Sequence, residues 1–188
     1  MTNCLIGRSI NKYLDELEDK DFGDEFESKV AIGEIEITEA MQTAFSDSGN
    51  ERFERRLAKY LRDSNIDCFK NHFHKYTFLK HYKSIPQATS RDLAALYLIC
   101  SDKEIFQKYR NIVLLGNDSY CLSKSKPSRE RYVLYAAAID IYQYSEHISM
   151  FDLADPKVIE SEFFGLIVKA MMIARFGVGA IGIVEGGD

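Results

Sequence analysis

Apolar residues recur at helical spacing along most of the chain, and this pattern predicts a mainly α-helical protein. The first apolar stripe, Ile10, Tyr13, Leu14 and Leu17, follows Ser9, which can cap a helix. Further helices are predicted over 38–45, 50–62, 67–83, 90–100, 102–115, 128–144 and 156–175. The stretch 93–100 is apolar on all sides, which indicates a buried helix. We therefore expect a bundle of about six to eight helices around a single core.

One short segment, near residues 29–37, has a different pattern. Val30 and Ile32, then Ile35 and Ile37, alternate around Gly33. Alternation of this kind is typical of a strand or a bulged hairpin. We therefore expect a short β-hairpin in this segment.

The pattern divides the chain into three parts. Residues 1–49 form an acidic N-terminal segment with one helix and the hairpin, residues 50–176 form a helical core domain, and residues 177–188 form a glycine-rich tail. The tail matches G-x-G-x-x-G over 177–182. Binding of a dinucleotide phosphate needs a strand before this motif and a helix after it, whereas here a helix precedes it. We therefore expect a packed or flexible tail.

The composition is that of an ordinary globular protein. The 188 residues are 46% hydrophobic and 28% charged. Cys4, Cys68, Cys100 and Cys121 are widely spaced, which argues against a zinc ribbon or a redox motif. The apolar stretch at 163–176 is shorter than the roughly 20 residues that span a membrane, and no leader sequence is visible. We expect a cytoplasmic protein with free thiols, no membrane association and no cofactor.

Charge is distributed unevenly along the chain, although the net charge is only −5. Residues 1–50 carry 4 basic and 12 acidic side chains, and residues 51–91 carry 10 basic and 4 acidic ones. The acidic run could bind a partner protein, imitate a phosphate backbone, or dock on the basic middle of its own chain or of a second copy. A solvated face is the commonest outcome for such a run. The residues predicted to bind a partner are Asp19, Asp21, Asp24 and Glu25.

The basic middle of the chain contains candidate nucleic-acid contacts. Its phosphate-binding candidates are Arg52, Arg55, Arg56, Lys59 and Arg62, and its base-stacking candidates are Tyr60, Tyr76 and Tyr82. The acidic net charge argues against nucleic acid as the default partner.

The histidines offer a candidate metal or acid–base site. Cys68 and His72 are four residues apart and His74 and His81 are seven apart, so each pair shares a helix face. His72 and His74 lie on opposite faces, and a zinc site needs three or four ligands. Ordinary buried or surface histidines are therefore favoured. The alternative is a metal site with Cys68, His72, His74 and His81 as ligands, or a catalytic group of His72, His74 and Asp92.

Three short groups of residues resemble motifs of one protein family. The groups are Asn71-His72-Phe73-His74-Lys75, then Asp92-Leu93-Ala94-Ala95-Leu96-Tyr97 with Glu104-Ile105-Phe106, and then Tyr135-Ala136-Ala137-Ala138 with Phe151 and Ala174-Arg175. They are similar to those of small helical proteins of unknown function encoded by staphylococci, related Gram-positive bacteria and their mobile elements. The resemblance covers about residues 69–175. It implies an all-helical core and no particular activity, cofactor or substrate.

These observations favour a non-enzymatic protein–protein interaction module. In its most specific form the prediction is a phage-encoded or mobile-element-encoded inhibitor that binds a host protein through the acidic surface, and a homo-oligomer is also compatible with it. The alternative is a metal-assisted hydrolase or nuclease centred on the His/Asp group.

Overall fold

The computed structural model describes residues 8–63, 66–85, 87–115 and 128–183. Within these ranges it contains ten α-helices, no β-strand and two short 3-10 turns, Tyr82–Ser84 and Val178–Ile181. The helices are α1 (Ile10–Asp19), α2 (Asp24–Ala31), α3 (Ile37–Phe45), α4 (Glu51–Asp63), α5 (His72–His81), α6 (Ser90–Cys100), α7 (Lys103–Leu115), α8 (Arg129–Gln143), α9 (Met150–Ala154) and α10 (Ser161–Phe176). The prediction of a mainly helical fold is confirmed. Helices α2 and α9 account for the excess over the predicted number.

Two mostly apolar helices, α6 and α10, form the centre of the fold and pack against each other. Residues 94–100 of α6 and 163–174 of α10 are buried on every side, as the lack of a polar stripe in each predicts. Helices α5, α7 and α8 pack around α6, and α1 contacts α10 and α8. Helix α4 packs against α3 and α9. The buried apolar side chains of the described residues, from Ile10 to Ile181, belong to one cluster.

The predicted hairpin near residues 29–37 is wrong. The segment is instead the end of α2, a turn and the start of α3 at Ile37. Gly33 has φ of +73°, and its amide donates to Val30 O while the amide of Glu34 donates to Lys29 O at 2.9 Å. This pair of bonds is a Schellman motif, which ends helices at a glycine in the left-handed conformation. The glycine that suggested a bulge is thus a helix terminator.

Two helices begin later than the sequence predicts. Helix α5 begins at His72 rather than at residue 67, because Asn71 is its cap and accepts a hydrogen bond from the amide of His74 at 2.9 Å. Helix α10 begins at Ser161 rather than after Asp155, whose carbonyl accepts from two amides of a tight turn. The predicted capping box of α6, Thr89 with Asp92, is confirmed.

The described part of the glycine-rich tail packs against the core. Gly177 ends α10 with φ of +80°, and Gly182 ends the 3-10 turn with φ of +74°. A Cβ on Gly179 would lie 1.7 Å from the carbonyl oxygen of Ala31. Positive φ explains the glycines at 177 and 182, and the close approach of Ala31 explains the glycine at 179. Residues 178–181 of the motif form a buried turn. Residues 184–188 of the predicted tail and residues 1–7 of the acidic segment lie outside the described ranges.

Candidate functional site

Part of the acidic run binds the protein's own basic middle, through Arg91 at the start of α6. Its Nη2 lies 2.6 Å from Asp15 Oδ1, its Nε lies 2.7 Å from Glu18 Oε1, and its Nη1 donates to Asn11 Oδ1 at 2.6 Å. The Arg91 side chain is only 7% exposed. The carboxylates on this face of α1 therefore anchor the helix to the core. This agrees with one alternative from the sequence, in which the acidic run docks on the basic middle of its own chain.

A second arginine fixes the end of α1. Arg175 of α10 donates from Nε to Leu17 O at 2.8 Å and from Nη2 to Lys20 O at 3.1 Å. The same Nη2 forms an ion pair with Glu27 of α2. An arginine that satisfies the last carbonyls of a helix acts as a side-chain cap. Because Arg175 also binds α2, it holds α1 and α2 in a fixed relation.

The turn between α1 and α2 is held by local contacts as well. Phe22 packs against Phe26 and Phe176, with ring centroids 5.7 and 5.5 Å away. Asp21 Oδ1 accepts a hydrogen bond of 2.8 Å from the amide of Gly23. Packing of partly buried aromatic rings and an Asx turn both restrict the backbone of this turn.

The four residues that were predicted to bind a partner surround this turn, and we call them the acidic corner: Asp19, Asp21, Asp24 and Glu25. All four are exposed. Glu25 forms an ion pair of 2.5 Å with Lys29 one turn later, which lowers the pKa of its carboxyl. Within the described ranges, the other three carboxylates form no ion pair. The acidic corner therefore presents negative charge to solvent from a backbone that Arg175 and Phe22 hold in place.

The basic helix α4 has fewer available cations than its sequence indicates. Arg56 turns inward and donates to Leu153 O at 2.6 Å and to Ile159 O, with its guanidinium over the ring of Phe164. Arg55 and Arg62 pair with carboxylates of their own helix. Much of the charge predicted to contact nucleic acid is thus used within the protein.

A different basic surface lies on α5 and the turn after it; the sequence pointed only to two of its members, Tyr76 as a base-stacking candidate and His72 as a candidate ligand. We call it the basic face; its members are His72, Lys75, Tyr76, Leu79, Lys80 and Lys83. All six are exposed, and Tyr76 is 60% exposed. The ring of His72 stacks on Tyr76 with centroids 6.4 Å apart, and Lys80 Nζ lies 6.0 Å from the same ring. One signal could have revealed it: no Asp or Glu occurs from residue 68 to residue 91.

His74, a candidate ligand and catalytic residue, is a buried structural histidine. Its Nε2 donates to Tyr97 O at 2.9 Å, and its Nδ1 accepts from the amide of Lys70 at 3.1 Å. Burial lowers the pKa of His74 to about 3, so the ring is neutral. Both ring nitrogens are therefore occupied by backbone groups.

The loop before α5 is fastened to the core beside His74. Tyr97 Oη donates to Cys68 O at 2.5 Å, and Lys169 Nζ donates to Asp67 O at 2.6 Å. Burial raises the pKa of the Cys68 thiol and lowers that of the Lys169 ammonium. The arrangement holds a non-helical backbone segment, which explains why α5 starts late.

The other candidate catalytic and metal residues lie apart. His72 is exposed on the basic face, and His81 packs against Phe106, where burial lowers its pKa. Asp92 serves as the N3 residue of the α6 capping box and accepts from Thr89. Among the described residues, no group of three or more His, Cys, Asp or Glu side chains is placed to hold a metal ion.

Open clefts cross the described surface. A cleft of about 540 Å³ lies between α3 and α4 and is lined by Glu39 and Arg62 among others. A second, of about 490 Å³, lies beside α9 and is lined by Phe151 among others. A third, of about 230 Å³, lies between α10 and the loop before α5, beside Lys169 and Tyr60. The acidic corner and the candidate histidines line none of these three clefts.

Comparisons with known proteins give no family, relative or structural neighbour from which a function could be proposed. No protein-family model, no curated protein and no solved structure matches the chain. Among the described helices, none is both long and apolar enough to cross a membrane.

Proposed function

We propose that this protein is a protein–protein interaction module that binds a basic partner surface through the acidic corner. The observation that carries the proposal is the contrast within one run of carboxylates. Asp15 and Glu18 are bound by the buried Arg91, and Glu27 is bound by the partly buried Arg175. Asp19, Asp21 and Asp24, in contrast, face solvent without an ion-pair partner in the described ranges.

The fixed backbone of the acidic corner favours binding. A surface that is already ordered loses little conformational entropy when a partner docks, so more of the interaction energy contributes to affinity. Arg175 orders the end of α1 and Phe22 orders the turn. Exposed carboxylates also accelerate encounter with a positively charged partner and reject a negatively charged one.

The specific form of the proposal is an inhibitor that binds a host protein and is encoded by a phage or a mobile element. The support for this form is the resemblance of residues 69–175 to a family that mobile elements encode. The host target would be a protein whose functional surface is rich in Lys and Arg, since that is the surface the acidic corner complements.

A capture experiment with matched variants tests the proposal. The corner variant carries Asp19→Asn, Asp21→Asn, Asp24→Asn and Glu25→Gln, substitutions that remove charge and keep shape. Wild-type protein and variant are immobilised in parallel and exposed to lysate of the native host, and the captured proteins are quantified by mass spectrometry. We expect a specific partner to bind the corner variant about tenfold less well, because each exposed ion pair contributes up to about 1 kcal/mol.

The control variant has the same change in net charge elsewhere on the surface. It carries Glu51→Gln, Asp63→Asn, Glu104→Gln and Glu160→Gln, all at exposed positions. A true partner binds the control variant as it binds wild type, and its affinity for wild type falls with added salt more steeply than its affinity for the corner variant. Equal capture by wild type and corner variant would overturn the proposal.

A further inference from the structure

We propose that the protein also assembles with itself head to tail, with the acidic corner of one copy docked on the basic face of the next. This inference rests on the acidic corner of the proposed function and names a second copy of the chain as an additional partner. It is carried by the basic face, which plays no part in the proposed function.

The basic face has the make-up of a small docking surface. Tyr76 and Leu79, which are 60% and 39% exposed, lie side by side on the outer side of α5. Lys75, Lys80 and Lys83 surround them, and none forms an ion pair with a described carboxylate. An apolar, aromatic centre with a charged rim is the usual anatomy of a protein interface. Tyrosine is also among the residues that contribute most to binding energy.

Charge complementarity identifies the occupant. The basic face offers three lysines. The acidic corner offers three carboxylates that have no ion-pair partner among the described residues, and Glu25, which Lys29 partly neutralises. The two surfaces belong to different helices, and among the described residues no ion pair joins them within one chain. A contact between two copies would pair these charges.

The charge of the rest of the molecule favours a second copy over nucleic acid. Net charge is −5, and residues 1–50 alone contribute 12 acidic side chains against 4 basic ones. A polyanion that approached Tyr76 would be repelled by this acidic segment. A second copy, in contrast, presents its acidic corner to the basic face.

The geometry of the contact determines the kind of assembly. Because the two docking surfaces are different, the contact is heterologous and leaves one surface of each type free in every dimer. Such contacts continue into rings or open chains. The assembly is therefore expected to grow with protein concentration and to dissociate as salt screens the charges.

Sedimentation velocity of purified protein tests the inference with the corner variant and a face variant. The face variant carries Lys75→Gln, Lys80→Gln and Lys83→Gln. We expect wild type to form concentration-dependent oligomers in low salt, and each variant alone to be a monomer. A mixture of the two variants should give a 1:1 dimer that does not grow, because only one pair of charged surfaces remains intact.

Two controls confine the effect to the named surfaces. The variant with Arg52→Gln, Lys59→Gln and Lys103→Gln, all at exposed positions, should assemble like wild type. Circular dichroism and thermal unfolding check that the corner and face variants remain folded, as expected for substitutions at exposed positions.

The remaining outcomes either overturn the inference or separate it from the proposed function. Wild type that stays monomeric in low salt at every concentration excludes the assembly, and host capture that still depends on the acidic corner leaves the proposed function standing. Oligomers that persist in the face variant show that another surface joins the copies. A monomeric wild type that binds a single-stranded oligonucleotide, with binding lost in the face variant, assigns the basic face to nucleic acid instead. Assembly that depends on the acidic corner, without any captured host protein, supports the inference and overturns the proposed host partner.

Discussion

Arg91 of α6 and Asp15 of α1 form an ion pair of 2.6 Å, and this pair links the acidic N-terminal segment to the centre of the fold. The Arg91 guanidinium also lies 4.4 Å from the ring centroid of Tyr144. Tyr144 is the residue that ends α8, in the left-handed conformation with φ of +58°. One buried side chain thus joins three helices, and its position determines how α1 presents the acidic corner.

Replacing Arg91 with methionine should lower the free energy of unfolding by about 2 kcal/mol, because hydrogen bonds to charged groups each contribute about 1.5–3 kcal/mol and Asp15 and Glu18 remain solvated. Urea denaturation measures the change. Arg55→Met is the control, since Arg55 forms an exposed pair within its own helix, and it should change stability by less than about 0.5 kcal/mol. Equal losses from the two substitutions would show that Arg91 does not anchor α1.

The burial of His74 should make stability depend on pH. Its pKa is about 3 in the folded protein, against about 6.5 in the unfolded chain. Between these values the unfolded state binds the proton and the folded state does not, so stability is fully present above about pH 6.5 and falls as pH is lowered. At about 1.36 kcal/mol per pH unit, lowering the pH from 7 to 5 should cost about 2 kcal/mol.

Two variants isolate this effect in urea denaturation at a series of pH values. His74→Gln is expected to be less stable at pH 7, because one of two buried hydrogen bonds is lost, but to have a weaker dependence on pH between 5 and 7. His72→Gln is the control, because His72 is exposed, and it should retain the wild-type pH dependence. If His74→Gln keeps that dependence in full, His74 is not its source.

The central helices could be predicted from the sequence because their determinants are local. Residues 94–100 and 163–174 have no polar stripe, so burial follows from the pattern alone. The capping box of Thr89 and Asp92 is likewise a signal within three residues. The prediction of a hairpin around Gly33 was wrong because a glycine with positive φ is equally compatible with a helix end and with a β-bulge.

The candidate site was only partly predictable, because its supports are distant in sequence. The exposure of Asp19, Asp21 and Asp24 agrees with the charge pattern, which indicated a solvent-facing run. The bond that fixes the turn, from Arg175 to Leu17 O, spans 158 residues. The apolar periodicity of a single helix cannot reveal a contact between residues so far apart in sequence. The hydrogen bond from Lys169 to Asp67 O, which spans 102 residues, could not be predicted for the same reason.

Replacing Asp140, a fully buried carboxylate of α8, with asparagine should destabilise the fold. It accepts hydrogen bonds from Ser145 Oγ at 2.8 Å, from His147 N and Nδ1, and from the amide of Ile148 at 2.8 Å. In Asp140→Asn an amide NH₂ would face donors, so the free energy of unfolding should fall by about 2–3 kcal/mol. Urea denaturation measures this loss, and exposed Asp47→Asn should change stability by less than about 0.5 kcal/mol.

The same substitution should loosen the contact between this loop and the start of α1. Ile148 O accepts from the amide of Ile10 at 3.0 Å, in a bridge between Ser9 and Ser149. Hydrogen exchange at the Ile10 amide is therefore expected to accelerate in Asp140→Asn by more than the global loss of stability explains. Unchanged protection at Ile10 would mean that Asp140 does not position the loop.

Gly179 and Gly182 should respond differently to alanine, because different constraints require each glycine. In Gly179→Ala the new Cβ would meet the backbone of Ala31, with 1.7 Å to its oxygen and 2.3 Å to its carbonyl carbon. Backbone cannot move aside as a side chain can, so we expect a loss of about 3 kcal/mol. No atom of the described residues lies within 4 Å of a Cβ on Gly182, but its φ is +74°, so Gly182→Ala should cost only about 1 kcal/mol. Thermal and urea unfolding of both variants measure the difference; equal costs would show that the turn does not rest against α2.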